Sequence, residues 1–300
     1  MSARGFHRRR FLKIAAVVPL VGLSARAQAD APVARWHGVA LGASSQIIVA
    51  GLHTEEAEPI FAQARDEIAR LEAIFSLYQN RSELSVLNRT GRLVHPAPEL
   101  LEVLSLSRAV REASFGAFDP SVQPLWRARV TGETFALPHG DLSDVMYSAD
   151  EIVLKPGMAL TLNGIAQGYI TDRIAALLRC QGMTDLVADA GEQRALGHRP
   201  GGGGWRVGIA DPSGALVAQL ALRDRALATS APGGTLLPDG KGHIVDARDG
   251  QPADRWQTLS VTHDSAAVAD ALSTAACCLT AAEMDDMLNH FPTAQLVYRT

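Results

Sequence analysis

Asp270 and Thr274 stand four residues apart in Ala269-Asp270-Ala271-Leu272-Ser273-Thr274-Ala275. On a helix that spacing projects both side chains from one face, with Ser273 beside them. A carboxylate and a hydroxyl so placed are hard oxygen donors of the kind that hold Mg²⁺. The bland reading is an Asp270 that faces solvent and a Thr274 that packs. His243 lies in Gly242-His243-Ile244-Val245-Asp246. An imidazole with a pKa near 6.5 is poised for proton transfer at neutral pH, and Asp246 is a candidate to orient it. A lone histidine in a turn is more often structural.

Standard catalytic signatures are missing. There is no HExxH and no G-x-S-x-G, and Gly240-Lys241-Gly242 lacks both the earlier glycine and the following hydroxyl of a phosphate-binding loop. Cys180, Cys277 and Cys278 have no metal-finger spacing and read as small buried hydrophobes.

Elements able to position these residues follow from periodicity. Ile60, Phe61, Ala64, Ile68, Leu71 and Phe75 form one stripe, which predicts a helix over Ala57 to Phe75. Further helices are expected after Pro98 through Val110, over Ile165 to Cys180 with Gly182 as a stop, over Ala266 to Leu279, and over Ala281 to Asn289. Strands are expected at Gln46 to Ala50, Glu151 to Leu154, Ala159 to Leu162, Leu186 to Asp189, Trp205 to Ala210, Leu216 to Arg223, Leu259 to Thr262 and Gln295 to Tyr298. Because strands come in consecutive groups, the fold class is α+β rather than a doubly wound sheet.

The chain has 300 residues, 47% hydrophobic and 20% charged, enough for a sizeable core and incompatible with a disordered, collagenous or coiled-coil protein. Aromatics make up only 5%, which does not suggest a base-stacking surface. The net charge of −4 hides an asymmetry: every charged residue before Asp30 is basic, so the remainder carries about −10 and is unsuited to polyanions. Arg8-Arg9-Arg10-Phe11-Leu12-Lys13 precedes an apolar run from Ile14 to Leu23 and the small residues Ala27-Gln28-Ala29. This resembles a twin-arginine export signal over residues 1–29, followed by a working domain over 30–300. The run is too short to span a bilayer. The expected location is periplasmic, with membrane tethering if the signal stays uncleaved.

Seven polar and glycine-rich islands follow one another along the body of the chain. They are Phe75 to Tyr78, Ser82 to Asn88, Gly116 to Trp126, Leu162 to Tyr169, Ala188 to Gly191, Leu227 to Ser230 leading into Gly242 to Asp246, and Ala269 to Ala275. In this order they resemble the ApbE family, the FAD:protein FMN transferases, over roughly Leu41 to Leu279. The resemblance implies a single ApbE-like, T-fold-like domain of mixed antiparallel sheets with packed helices. It further implies an enzyme that uses FAD as substrate with Mg²⁺ as cofactor, joins FMN through a phosphoester to a threonine or serine of an acceptor flavoprotein, and releases AMP.

By the same resemblance, Asp270 and His243 are the catalytic candidates, and Gly164 (through its carbonyl), Asp270, Ser273 and Thr274 are the metal candidates. Leu41, Tyr78, Ala117, Phe118, Asp119, Thr161, Gln167 and Ile244 are the flavin-site candidates. Thr161 and Gln167 stand where the family commonly has Asp and Lys, Asp189-Ala190-Gly191-Glu192-Gln193 replaces Asn-Ala-Gly-Gly-Asp, and Leu41-Gly42-Ala43 replaces Met-Gly-Thr. Lost charged hydrogen bonds of this kind are worth about 1.5 to 3 kcal/mol each. An exported, divergent member also resembles the type that accompanies nitrous-oxide reductase maturation, whose acceptor is a membrane-associated respiratory flavoprotein. Two other readings stand beside transfer: an Mg-dependent FAD pyrophosphatase giving FMN and AMP, and a non-catalytic periplasmic FAD-binding protein.

Overall fold

Apolar residues alternate along the central strands in a way that leaves two faces to bury. In β2 (Ala43–Ala50), Ile47 and Val49 belong to the main core while Ile48 belongs to a second cluster. In β6 (Leu186–Asp189), Leu186 and Ala188 likewise oppose Val187. The computed structural model that shows this describes residues 31–133 and 140–300, so the export signal expected over residues 1–29 lies outside the described residues.

With β1 (Val33–Ala40), β7 (Gln193–Leu196), β10 (Arg225–Ser230), β11 (Leu259–His263) and β12 (Gln295–Arg299), these strands form a seven-stranded sheet in the order β1-β2-β6-β7-β10-β11-β12. All its pairings are antiparallel. A hairpin of β8 (Trp205–Ala210) and β9 (Leu216–Leu222) covers the second face, where Trp205, Val207 and Ile209 pack on Ile48, Val187 and Leu227. A small sheet of β3 (Arg92–Val94), β4 (Met146–Tyr147) and β5 (Glu151–Val153) stands apart.

Helices occupy the main-core face: α1 (Thr54–Phe75), α2 (Glu83–Thr90), α3 (Pro98–Ala113), α5 (Ala166–Cys180), α6 (Ala266–Ala276) and α7 (Ala281–Asn289) all contribute to it, and α4 (Gln123–Thr131) follows a short 3₁₀ turn at Pro120–Val122. The expected α+β class and mixed antiparallel architecture are present. No helix of the described residues is long and apolar enough to cross a membrane.

Helices α5 and α6 satisfy each other's N-termini. The Asp172 carboxylate of α5 accepts from Ser265 Oγ and from the backbone N–H groups of Ala266 and Ala267, at 2.6 to 3.1 Å. In return, the Gly168 N–H in the first turn of α5 donates to Asp270 Oδ2 of α6 at 3.1 Å. Each carboxylate thus takes donors that a helix start leaves unpaired. The exchange needs contact so close that a Cβ on Gly168 would lie 2.3 Å from the Ala266 carbonyl oxygen. Gly168→Ala is therefore expected to destabilise by about 3 kcal/mol, the upper end of overpacking costs, since backbone rather than a flexible side chain would have to move; thermal unfolding at fixed pH checks it.

The expected strand at Ala159 to Leu162 is instead a loop. The Asn88 side-chain amide takes both backbone groups of Leu160, donating to its carbonyl at 2.8 Å and accepting its N–H at 2.7 Å. An amide that mimics a strand partner leaves no ladder to extend. Seven elements lacked a sequence expectation: β1, the short strands β3, β4 and β7, the alanine-rich β10, and the short helices α2 and α4.

Candidate active site

The loops that follow these elements open onto one cleft. Its walls include Ala117, Phe118, Asp119, Thr161, Gly164, Gln167, His243, Ile244, Asp270 and Thr274, drawn from four separate islands and the residue just before one of them. The cleft holds about 1160 Å³ counting its solvent-open part, at the upper end of small-molecule sites. Three sequence candidates do not line it. Leu41 gives its N–H to Glu72 Oε1 at 2.6 Å and packs against the main core, Tyr78 is largely exposed, and Ser273 is fully buried. The Ser273 hydroxyl lies 2.7 Å from Ser230 Oγ, and Ser230 in turn lies 3.3 Å from Thr274 Oγ1. Ser273 therefore supports Ser230 and Thr274 from behind.

Asp270 is 3% exposed and on the cleft wall. Burial pushes its pKa up to about 7, an effect the Gly168 N–H only partly offsets. Burial together with the Asp270 and Asp189 carboxylates likewise holds Glu192 well above the usual range, although Glu192 Oε2 accepts the Thr229 N–H at 3.1 Å. Asp189 is raised to about 6, again by burial. Among the described residues these acids lack a positive partner: neither lysine nor arginine lines the cleft. Asp119 is different, because its carboxylate accepts from Ser121 N–H at 2.8 Å, Arg111 Nε at 2.6 Å and Leu142 N–H at 3.1 Å. It fixes the loop entering α4 while remaining on the cleft wall.

Whether Mg²⁺ fits can be judged from the oxygens present. A Cβ on Gly164 would fall 3.1 Å from Thr274 Oγ1, so the chain at Gly164 runs directly against Thr274, one helical turn from Asp270. Carboxylate, hydroxyl and nearby backbone carbonyl are all hard donors. No set of three His, Cys, Asp or Glu side chains converges as a metal cage among the described residues. Mg²⁺ suits this sparse arrangement, since it usually takes one or two carboxylates and completes its shell with water and substrate phosphates. The donor set fits.

The raised carboxylates have a measurable consequence. A carboxyl whose folded pKa exceeds its unfolded value stabilises the fold below about pH 4, and that contribution is lost as pH rises through the folded value, here about 6 to 7 for Asp189 and Asp270. The melting temperature of the metal-free protein is expected to fall by several degrees between pH 5 and 8, roughly 2 to 4 °C per kcal/mol lost. Added Mg²⁺ should restore more of it at pH 8 than at pH 5. Calorimetry at both pH values with and without Mg²⁺ checks this.

Elsewhere in the cleft lining, His243 Nδ1 lies 3.3 Å from the Pro232 carbonyl oxygen. A carbonyl only accepts, so Nδ1 carries the proton and Nε2 the lone pair. Burial lowers the His243 pKa below its ordinary value, which keeps the ring neutral at neutral pH. Asp246 does not orient it: that carboxylate is gripped by Arg248 through Nε at 2.9 Å and Nη2 at 2.6 Å. A peptide carbonyl holds the imidazole instead.

The ApbE family model matches residues 41–297. The chain belongs to the ApbE family. Among its relatives, the FAD:protein FMN transferase of Chlamydia pneumoniae is 30% identical, with the alignment covering 68% of this chain and 71% of that one. The Treponema pallidum protein of the same name is 29% identical, covering 77% and 76%. The match to the Rhodobacter capsulatus protein, also 29% identical, spans only 47% of that longer chain. The ApbE protein of Thermotoga maritima superposes with a TM-score of 0.75 at 25% identity, covering 88% of this chain and 93% of that one. The flavin transferase ApbE of Vibrio cholerae gives 0.73 at 22% identity, covering 90% and 98%, a likeness of fold.

Ser44, Trp126, Asn163, Glu192 and Ser230 also line the cleft, and none was a sequence candidate. Trp126, Asn163 and Ser230 sat inside quoted islands and Glu192 in the divergent run Asp189 to Gln193, but only the folded chain turns them to the same cavity as Asp270. Ser230 gave no separate signal.

Proposed function

We propose that this ApbE-family chain is an FAD:protein FMN transferase, acting on FAD with Mg²⁺ and on a threonine or serine hydroxyl of an acceptor flavoprotein. One observation carries the reading: a buried acidic and hydroxyl donor set at Asp270, Thr274 and Gly164 shares a cleft with a neutral imidazole whose free nitrogen is Nε2. Asp270, Thr274 and the Gly164 carbonyl would hold the Mg²⁺. When bound, that ion neutralises pyrophosphate charge, which no lysine or arginine of the cleft lining does.

His243 Nε2 takes the proton of the acceptor hydroxyl. The hydroxyl oxygen forms a bond to the FMN phosphorus as the bond from that phosphorus to the bridging oxygen breaks, and AMP leaves. The apolar side chains of Ala117, Phe118 and Ile244 exclude water from the reacting centre and so favour the acceptor hydroxyl over hydrolysis. The basic run before the apolar segment of residues 14–23 supports export by the twin-arginine route, which would put the reaction in the periplasm with an acceptor at the membrane.

The decisive experiment incubates the mature protein with FAD, Mg²⁺ and an acceptor domain, then reads the acceptor's intact mass and the released nucleotide. A gain of one FMN phosphoester with AMP release is expected. FMN and AMP with an unmodified acceptor would instead mark a pyrophosphatase, and FAD bound but unchanged would mark a binding protein.

A further inference from the structure

Trp126 is half-buried, lines the cleft, and is used by neither the cation site nor the proton transfer. Its indole N–H has no acceptor among the described residues, whereas Trp205 and Trp256 each donate theirs to a backbone carbonyl at 2.9 Å. Those two rings are fixed as structural elements. Trp126 is held differently, through its helix: Arg129, one turn further along the same face of α4, donates to the Gly242 carbonyl at 3.1 Å and to Asp239 at 2.9 Å. That face of α4 is thereby tied to the loop carrying His243. Phe118, Val122, Ile244 and Val245 complete an apolar surround in the same cleft.

A flat indole in an apolar pocket beside a phosphoryl-transfer site is suited to a planar ring. FAD has two. In-line displacement sets the attacking hydroxyl and the leaving AMP on opposite sides of the phosphorus, so the base and the adenine half lie apart. The ring near the His243 loop is then the one that is retained. We infer that Trp126 is the stacking surface for the isoalloxazine ring, a binding residue of the flavin half of the substrate. The inference rests on the transferase reading and adds the residue that selects a flavin.

Its test titrates the full mature protein and its Trp126→Ala and Trp126→Phe variants with riboflavin, which carries the ring without phosphate or adenine, and separately with AMP. Trp126→Ala is expected to weaken riboflavin about tenfold and to leave AMP within about twofold, the scale of one aromatic stacking partner. Trp126→Phe should retain most of the riboflavin affinity while losing most of the riboflavin-induced quenching of tryptophan emission, a readout that survives if the alanine variant unfolds. Unchanged riboflavin affinity in Trp126→Ala, or a loss confined to AMP, overturns the assignment. A wild-type protein that binds FAD normally beside an unaffected variant refutes the Trp126 role alone; a wild-type protein that binds neither FAD nor riboflavin refutes the transferase reading with it.

Discussion

Replacing Asp270 with asparagine is expected to lower the Mg²⁺-supported transfer rate about a thousandfold, the scale of losing a principal electrostatic contact with a developing charge. The change keeps volume and leaves an oxygen able to accept the Gly168 N–H, so the mutual capping of α5 and α6 can persist. What disappears is the charge that draws a cation towards Thr274 and Gly164. Because burial raises the Asp270 pKa to about 7, ionising it costs the metal-free fold stability above that pH, and a neutral amide removes the cost. Asp270→Asn should therefore melt at the same or a higher temperature than the parent at pH 8 without metal, yet bind Mn²⁺ at least tenfold more weakly by electron paramagnetic resonance. A variant that melts normally and binds Mn²⁺ with unchanged affinity would falsify the metal assignment. Loss of stability together with loss of binding would point to the cap as the main role of Asp270.

Legibility from the sequence depended on how local each feature is. The pairing of Asp270 with Thr274 needs only a helix, and α6, buried except at Thr274, provides one with both side chains on the cleft wall. The convergence of Phe118, Thr161, Gln167 and Ile244 was readable only through the order of the islands, because nothing within each island says which others it will meet. Side-chain direction was the least legible. Asp119 looked like a ligand group, but Arg111, eight residues earlier on α3, claims its carboxylate, and Asp246 is claimed by Arg248 in the same way.

Two fold errors have the same root. Ala159 to Leu162 alternates like a strand, yet its ladder groups are taken by Asn88, seventy-two positions away. Arg225–Ser230 is a central strand despite three alanine or serine positions of low β-propensity, because β7 and β11 pair with it on both sides. Tertiary partners decided both cases.

His243 carries the second large expected effect. His243→Ala should lower kcat by roughly a hundredfold to ten-thousandfold, the range of a positioned general base, with FAD affinity almost unchanged. The sign of the pH dependence follows from burial. A base works when deprotonated, and the His243 pKa lies below its ordinary value, so kcat/KM should rise with pH along a limb centred below about 6.5 and stay level through neutrality. That limb must vanish in His243→Ala, whereas a merely structural histidine would leave it in place and lower the melting temperature instead. His243→Asn sharpens the distinction, since its amide nitrogen sits at the position of Nδ1 and can still donate to the Pro232 carbonyl but offers no basic nitrogen. The asparagine variant should fold and bind FAD like the parent and transfer as poorly as alanine. If it transfers at the parental rate, proton removal does not pass through this residue, and the cleft holds its base elsewhere.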